Sequence, residues 1–175
     1  MDTTQKFKGN VWEKATFSLL VIIILVLVGS FYWYYHRAHS VVAMCATSNL
    51  SLSMGTSDGT AGTIYRHAVI TNNGSTTCTL GGYPAAFLVD NHGSQLGSGA
   101  ASNALYTPVS ITLAHGQAAH TVLGFPDAGN FDPGICSASS TNLRIYPPGS
   151  LTALEVASTE KSCPGFSISA LQPGV

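Results

Sequence analysis

Six histidines are the side chains of this sequence best suited to bind a transition metal. Two of them, His115 and His120, flank a predicted hairpin in which they can approach each other. A copper site of the cupredoxin type also needs a cysteine, a histidine and a methionine crowded on one late loop, but Cys136 is followed by the segment SASS at 137–140. The pattern predicts histidines scattered over turns and surface, with no metal ligand and no cofactor.

Residues for nucleophilic or acid–base catalysis are equally dispersed. A Gly-x-Ser-x-Gly elbow requires a glycine two positions before the serine, whereas Gly93 directly precedes Ser94 in the segment GSQLG. Glycoside hydrolysis requires two convergent carboxylates, and most acidic residues here fall in predicted turns, as Asp90 and Asp132 do. We therefore expect no catalytic residue, and we predict that the protein is not an enzyme.

Cysteine chemistry gives a clearer signal. The four cysteines, Cys45, Cys78, Cys136 and Cys163, all follow the N-terminal hydrophobic run. An even number of cysteines in an oxidising compartment indicates disulfide bonds, and four cysteines allow three pairings. Order and spacing favour Cys45 with Cys78 and Cys136 with Cys163. A zinc site is excluded by spacing, because no two cysteines are close enough for a CxxC knuckle.

An apolar run from Phe17 to Tyr35 contains no charged residue. At about 1.5 Å per residue, a helix of this length spans a hydrocarbon core of ~30 Å. The aromatic residues at 31–35 are typical of a membrane interface. A cleaved signal peptide is the alternative, with 41–43 (VVA) as a possible cleavage site, but its apolar region is usually shorter. The run therefore favours an uncleaved signal anchor.

The charges that flank this run predict its orientation. Lys6, Lys8 and Lys14 precede it, and only Arg37 follows closely, so the positive-inside rule predicts a cytoplasmic N-terminus. Charged residues make up only 9% of the chain and are scattered, which excludes a nucleic-acid binder because phosphate neutralisation needs clustered Lys and Arg. We predict a cytoplasmic tail at 1–16, a single transmembrane helix at 17–35, a short tether at 36–44 and an extracytoplasmic domain at 45–175.

The segment after the tether has the pattern of an all-β fold. Gly and Ser residues predict a turn over 55–62, and Asn72-Asn73-Gly74-Ser75 predicts another because Asn and Gly tolerate positive φ. About eight short strands separated by such turns are typical of an antiparallel β-sandwich. The predicted strands are 49–54, 63–71, 85–89, 109–113, 118–125, 143–146, 151–157 and 166–170.

The same residues resemble a known family pattern over about 45–172. The shared motifs are Cys45, TNNGSTTCTLGGYP at 71–84, LAHGQAA at 113–119, Cys136, LRIYPPG at 143–149 and Cys163. Together they resemble the actinobacterial extracytoplasmic domain of unknown function 4232. His115 stands where that family usually has proline. The resemblance implies an Ig-like sandwich on the cell envelope and supplies no activity.

Two classes of function follow. The first is a membrane-anchored, non-catalytic envelope module that recognises a protein, glycan or lipid partner through loops at one end of the sandwich, since loops on a rigid scaffold commonly carry binding. The second is a structural subunit that assembles with another membrane protein through its transmembrane helix. Gly29-Ser30 is the only pair of small residues in the span, so a GxxxG-type dimer face is absent and the helix has weak support as the site of recognition.

Overall fold

The computed structural model describes the backbone of residues 11–38, 42–136 and 138–174, and the side chains of 17–35 and of the two later ranges. The predicted cytoplasmic tail lies largely outside the described residues, as does part of the predicted tether. The chain divides into two units, Met1–Val41 and Val42–Val175. The second unit is called the β-domain below.

In its described residues, the first unit contains one helix, α1 (Val11–Ala38). Its stretch Phe17–Tyr35 has a mean hydropathy of 2.3 and none of its residues is buried, so it is long and apolar enough to cross a membrane. The hydroxyl of Ser30 donates to the carbonyl oxygen of Leu27 at 2.9 Å, which satisfies this polar group within the helix. An apolar helix compatible with a membrane anchor is thus confirmed at the predicted position.

The β-domain is built from twelve strands in its described residues, more than the eight expected, because four segments of two to four residues are too short to show alternation in the sequence. Short 3-10 turns occur at Thr47–Asn49 and Ala128–Asn130. The strands are β1 (Leu50–Thr60), β2 (Thr63–Asn72), β3 (Cys78–Gly81), β4 (Ala85–Val89), β5 (Gln95–Leu96), β6 (Ala101–Ser102), β7 (Ser110–Leu113), β8 (Ala118–Pro126), β9 (Asn142–Tyr146), β10 (Leu154–Ala157), β11 (Ser167–Ile168) and β12 (Gln172–Pro173).

These strands form three sheets. The largest has the order β1-β2-β8-β11-β6, with β12 also paired to β8, the second has the order β10-β9-β4-β5, and the third is the pair β3-β7. The all-β class and the sandwich-like arrangement are confirmed. Strand pairing is antiparallel, as expected, except that β11 and β6 pair in parallel, as do Met44 and Thr79 at an isolated bridge.

All three sheets contribute to one hydrophobic core. Strands β7 and β9 alternate between buried and less buried positions, as half-buried strands do. Burying one large aliphatic side chain stabilises the fold by roughly 1.5–3 kcal/mol. Fully buried members of the core include Ile70, Leu88, Leu113, Leu123 and Leu143.

The predicted turn over 55–62 is wrong, because the strand continues through it. After an irregularity between Met54 and Ser57, β1 stays paired with β2 as far as Thr60. The reversal needs only Ala61 and Gly62, whose φ values are 48° and 77°. Two successive residues with positive φ match the twist of a two-residue hairpin, so the other Gly and Ser residues are strand residues on an exposed face.

Candidate functional site

The four cysteines form the two predicted disulfides. Cys45 joins Cys78 with Cα atoms 4.8 Å apart, and Cys136 joins Cys163 with Cα atoms 4.4 Å apart. The first bond fixes the start of the β-domain to β3. The second fixes the loop after β8 to the segment before β11. The first disulfide therefore holds irregular backbone onto a sheet, and the second joins two irregular segments to each other.

The two histidines singled out from the sequence have different neighbours. His115 places Nδ1 3.0 Å from the carbonyl oxygen of Gly74, and His120 places Nδ1 3.0 Å from that of Gly174. The ring of His120 stacks on His67, with centroids 4.9 Å apart and planes within 3°. The lone pair of an imidazole nitrogen lies in the plane of its ring. The nitrogens of two stacked, parallel rings therefore cannot both point at one metal ion. No group of three or more His, Cys, Asp or Glu suited to a metal occurs among the described residues.

The chain enters the β-domain alongside β3. The amide of Thr79 donates to the carbonyl of Ala43 at 2.9 Å, and the amide of Cys45 donates to the carbonyl of Thr79 at 3.0 Å. Met44 lies over the turn between β9 and β10, since a Cβ added to Gly149 would come within 2.7 Å of the Met44 methyl group. The start of the domain and this turn therefore form one continuous surface.

Two open grooves share Met44 as a wall. One, of about 330 Å³, also involves Thr79–Gly82 and Pro108–Ser110. The other, of about 450 Å³, is formed with Cys45–Ser48 and with residues 148–150 and 152–153. Neither groove is lined by a charged side chain.

Apolar side chains project around these grooves. Leu151 is 98% exposed and Met44 is 61% exposed, and Val42 and Val109 are also exposed. The segments that build this region, 42–54, 68–89, 101–126 and 145–154, contain no Asp, Glu, Lys or Arg. We call the surface defined by Val42, Met44, Val109, Pro148 and Leu151 the neutral end.

A buried asparagine organises the backbone beside the neutral end. The side-chain amide of Asn72 donates to the carbonyls of Thr76 and Leu113, both at 3.0 Å, and its oxygen accepts from the amide of Gly74 at 2.9 Å. The predicted 72–75 turn thus depends on the Asn72 side chain, and the expected positive φ is absent from both Asn72 and Gly74. Glycine is required at position 74 because a Cβ there would lie 2.9 Å from that of Asn49.

The opposite end of the β-domain carries the charge. Hairpin β1-β2, the turn after β4 and the loops after β8 and β10 meet there, and the guanidinium of Arg144 reaches the turn at Gly93. The three basic and six acidic residues of the β-domain give it a net charge of −3. We call this surface the charged end, and its charged residues are Asp58, Arg66, Asp90, Asp127, Asp132, Arg144, Glu155, Glu160 and Lys161.

Two ion pairs engage both arginines of the charged end. Arg66 on β2 reaches Glu160 at 3.0 Å, which links the largest sheet to the loop after β10. The Nε atom of Arg66 is buried without a hydrogen-bond partner. Arg144 donates from Nε to Glu155 at 2.7 Å, and this hydrogen bond raises the pKa of the guanidinium. Neither pair includes Asp58, Asp90, Asp127 or Asp132.

Two of those aspartates order their own turns. The carboxylate of Asp90 accepts hydrogen bonds from the amides of Ser94 and His92, both at 2.8 Å. The bond from Ser94 is the main cause that lowers the pKa of Asp90. Asp127 accepts from the amide of Gly129 at 2.9 Å and caps a 3-10 turn. The charged end is therefore an ordered surface rich in anionic acceptors.

Sequence reasoning missed this separation of charged and neutral surfaces. The charged positions are visible in the sequence, but only the tertiary structure shows that the turns and loops carrying most of them meet at one end. Arg144 lies at the centre of β9 and reaches this end with its guanidinium. The exposed aspartates there, Asp58, Asp127 and Asp132, can pair with cationic groups of another molecule. In the sequence, most of these residues are recognisable only as members of predicted turns.

A comparison with known protein families assigns the β-domain to one of them. A family model described as a domain of unknown function (DUF4232) matches residues 45–173. Neither the curated proteins nor the solved structures contain a significant match to this chain.

Proposed function

The chain belongs to the family of domains of unknown function DUF4232, and from this premise we propose that it is a membrane-anchored, non-catalytic interaction module of the cell envelope. The charged end of the β-domain recognises a protein partner that presents basic residues. Helix α1 holds the module at the membrane.

The concentration of charge at one end carries this proposal. A surface of net charge −3 attracts a basic partner, and complementary potentials raise the association rate and exclude partners of like charge. Both arginines of the charged end are engaged in ion pairs, whereas Asp58, Asp127 and Asp132 are exposed. Anionic groups thus dominate what a partner meets there.

The loops that present this charge are held in place. Disulfide Cys136–Cys163 joins two of them, and the Arg66–Glu160 pair joins a third element. A binding surface that is ordered before association loses less conformational entropy when the partner binds. This supports recognition by a rigid surface.

The helix and the disulfides support the location. An apolar helix before the domain is suited to anchoring, and two disulfides favour an oxidising compartment. Together with the lysines at 6, 8 and 14, they support a single-pass protein with a cytoplasmic N-terminus and the β-domain outside the membrane.

Site-specific crosslinking in the native membrane tests the proposal. A photoreactive amino acid is placed at Ile135, which is 50% exposed in the loop after β8, or at Leu151 on the neutral end as the control. We expect a discrete crosslinked protein from position 135 and not from position 151. The charge-neutralised variant Asp58→Asn/Asp127→Asn/Asp132→Asn should lose this product, and so should wild type in high salt, because screening weakens exposed charge pairs.

Replacement of the helix separates this function from assembly through the membrane segment. With an unrelated transmembrane segment in place of 17–35, the product from Ile135 should persist. Crosslinking that occurs only from positions within 17–35, and that is lost with the replaced helix, would contradict the proposal and identify an assembly subunit.

A further inference from the structure

The neutral end is an exposed surface that the proposed function leaves unused. We propose that it docks onto the lipid surface of the membrane, with the side chains of Leu151 and Met44 at the boundary between the lipid headgroups and the acyl chains. The β-domain then has two contact surfaces, one for lipid and one for a basic partner.

The shape of the neutral end fits an interfacial contact. Leu151 occupies the turn between β9 and β10 and is 98% exposed, and Met44, 61% exposed, lies against the same turn. Side chains that project from a turn enter the boundary between headgroups and acyl chains without opening the fold. Removing their apolar surface from water favours the bound state.

Charge selects this end over the opposite one. Docking through the neutral end desolvates no charged side chain, whereas docking through the charged end would bury several, at a large cost in free energy. A surface of net charge −3 is also repelled by anionic lipids. Both effects orient the neutral end toward the membrane and leave the charged end facing away from it.

The position of the neutral end in the sequence identifies lipid as the occupant. Only residues 39–41 separate the last helical residue, Ala38, from Val42. The four residue-to-residue steps from Ala38 to Val42 therefore span at most about 14 Å. Aromatic residues at 31–35 favour an interfacial position for that part of the helix. When the helix spans a membrane, the neutral end begins within reach of the lipid surface, so lipid is a partner that is always present.

Tryptophan fluorescence of the full chain in liposomes tests this contact. The chain has two tryptophans, Trp12 and Trp33, and both precede the β-domain, so Trp12→Phe/Trp33→Phe removes the background. In that background, Leu151→Trp reports on the neutral end and Ile135→Trp on the charged end. The probe is phosphatidylcholine with brominated acyl chains. We expect about a twofold loss of emission at position 151, with position 135 unchanged.

A lengthened tether distinguishes docking from enforced proximity. A flexible Gly/Ser insertion of about 20 residues between positions 40 and 41 adds a mean reach of about 25 Å. A docked neutral end remains quenched after this insertion. Loss of quenching in the lengthened chain, or equal quenching at positions 151 and 135, would overturn the proposal.

A second reporter avoids the interfacial preference of tryptophan at position 151 itself. Val109→Trp, also on the neutral end, is read with Leu151 intact and with Leu151→Asp, both in the lengthened chain. Leu151→Asp should abolish the quenching at position 109, while circular dichroism shows an unchanged fold. Quenching that survives Leu151→Asp would refute insertion of this turn. Energy transfer between labelled chains without lipid quenching would assign the surface to a second copy instead.

Discussion

Different interactions stabilise the two ends of the β-domain. At the neutral end, the Asn72 side chain joins its own turn to the end of β7 through uncharged hydrogen bonds. At the charged end, the Arg66–Glu160 and Arg144–Glu155 pairs join sheet and loop. In a chain with only 9% charged residues, this contrast shows that placing charge at one end leaves the other free for apolar contact. The two ends should therefore respond differently to mutation, salt and pH.

Removing one disulfide at a time should have the largest effect. Closure of loops of 33 and 27 residues is worth about 3.5–4 kcal/mol for each bond in the chain-entropy model. Cys45 and Cys78 also belong to the core cluster, whereas Cys136 and Cys163 do not. We expect Cys78→Ser to lower the free energy of unfolding by about 2–5 kcal/mol, and by more than Cys163→Ser does.

Denaturant unfolding of both variants measures that difference. Intact mass after proteolysis should show Cys45 joined to Cys78 in the wild type. An unchanged melting temperature for Cys78→Ser would contradict the expected contribution of this bond to stability. A larger loss for Cys163→Ser would contradict the expectation that the Cys45–Cys78 bond contributes more than the Cys136–Cys163 bond.

Asn72→Ala tests the uncharged network beside the neutral end. The substitution leaves the carbonyl of Leu113 and the amide of Gly74 without their side-chain partner in a buried setting. We expect a loss of about 2–3 kcal/mol in the free energy of unfolding. Because no charge is involved, the loss should be the same at low and high salt. A strong salt dependence would contradict the distinction between uncharged hydrogen bonds at the neutral end and ion pairs at the charged end.

Arg66→Met tests the corresponding link at the charged end. It leaves the Glu160 side chain, only 13% exposed, without its cation. Since the arginine is 35% exposed, we expect a loss of about 1 kcal/mol that shrinks as salt is added. Arg144→Met is the matched control, because its more exposed pair should contribute less. Thermal melts at two ionic strengths give both values, and an Arg66→Met effect independent of salt would count against an ion-pair role.

Loosening of the Asp90 turn at low pH should have the smallest effect on stability of the four changes predicted here. The amide of Ser94, followed by that of His92, lowers the pKa of the Asp90 carboxyl in the folded state. A lowered folded-state pKa stabilises the turn above the pKa of the unfolded chain, about 3.9, and this contribution is lost as the pH falls through the folded-state pKa.

Amide chemical shifts of His92 and Ser94 report on this transition. They should change together at pH below the ordinary range of aspartate, and Asp90→Asn should abolish the change. Asp58→Asn serves as the control. Titration of the Ser94 amide at the ordinary aspartate pH would show that the hydrogen bonds do not favour the ionised carboxylate.

The sequence by itself determined the local features of this protein. Charge-free apolar residues over 17–35 specify a helix that can cross a membrane, because every backbone polar group must be satisfied within the segment. Alternation of Val109, Ile111 and Leu113 with polar residues marked a strand, because successive side chains point to opposite faces. Spacing favoured the disulfide pairing that forms. Local periodicity did not show that residues 55–60 extend β1, since their Gly and Ser content is typical of turns.

Only the tertiary structure decided which distant residues meet. The partners of Asn72, the stacking of His120 on His67 and the pairing of Arg66 with Glu160 join segments that are far apart in the chain. Parallel pairing of β11 with β6 likewise depends on packing, because two residues carry too little pattern to specify a register. The neutral and charged ends exist for the same reason: each is assembled from several turns, and strand register determines which turns share an end.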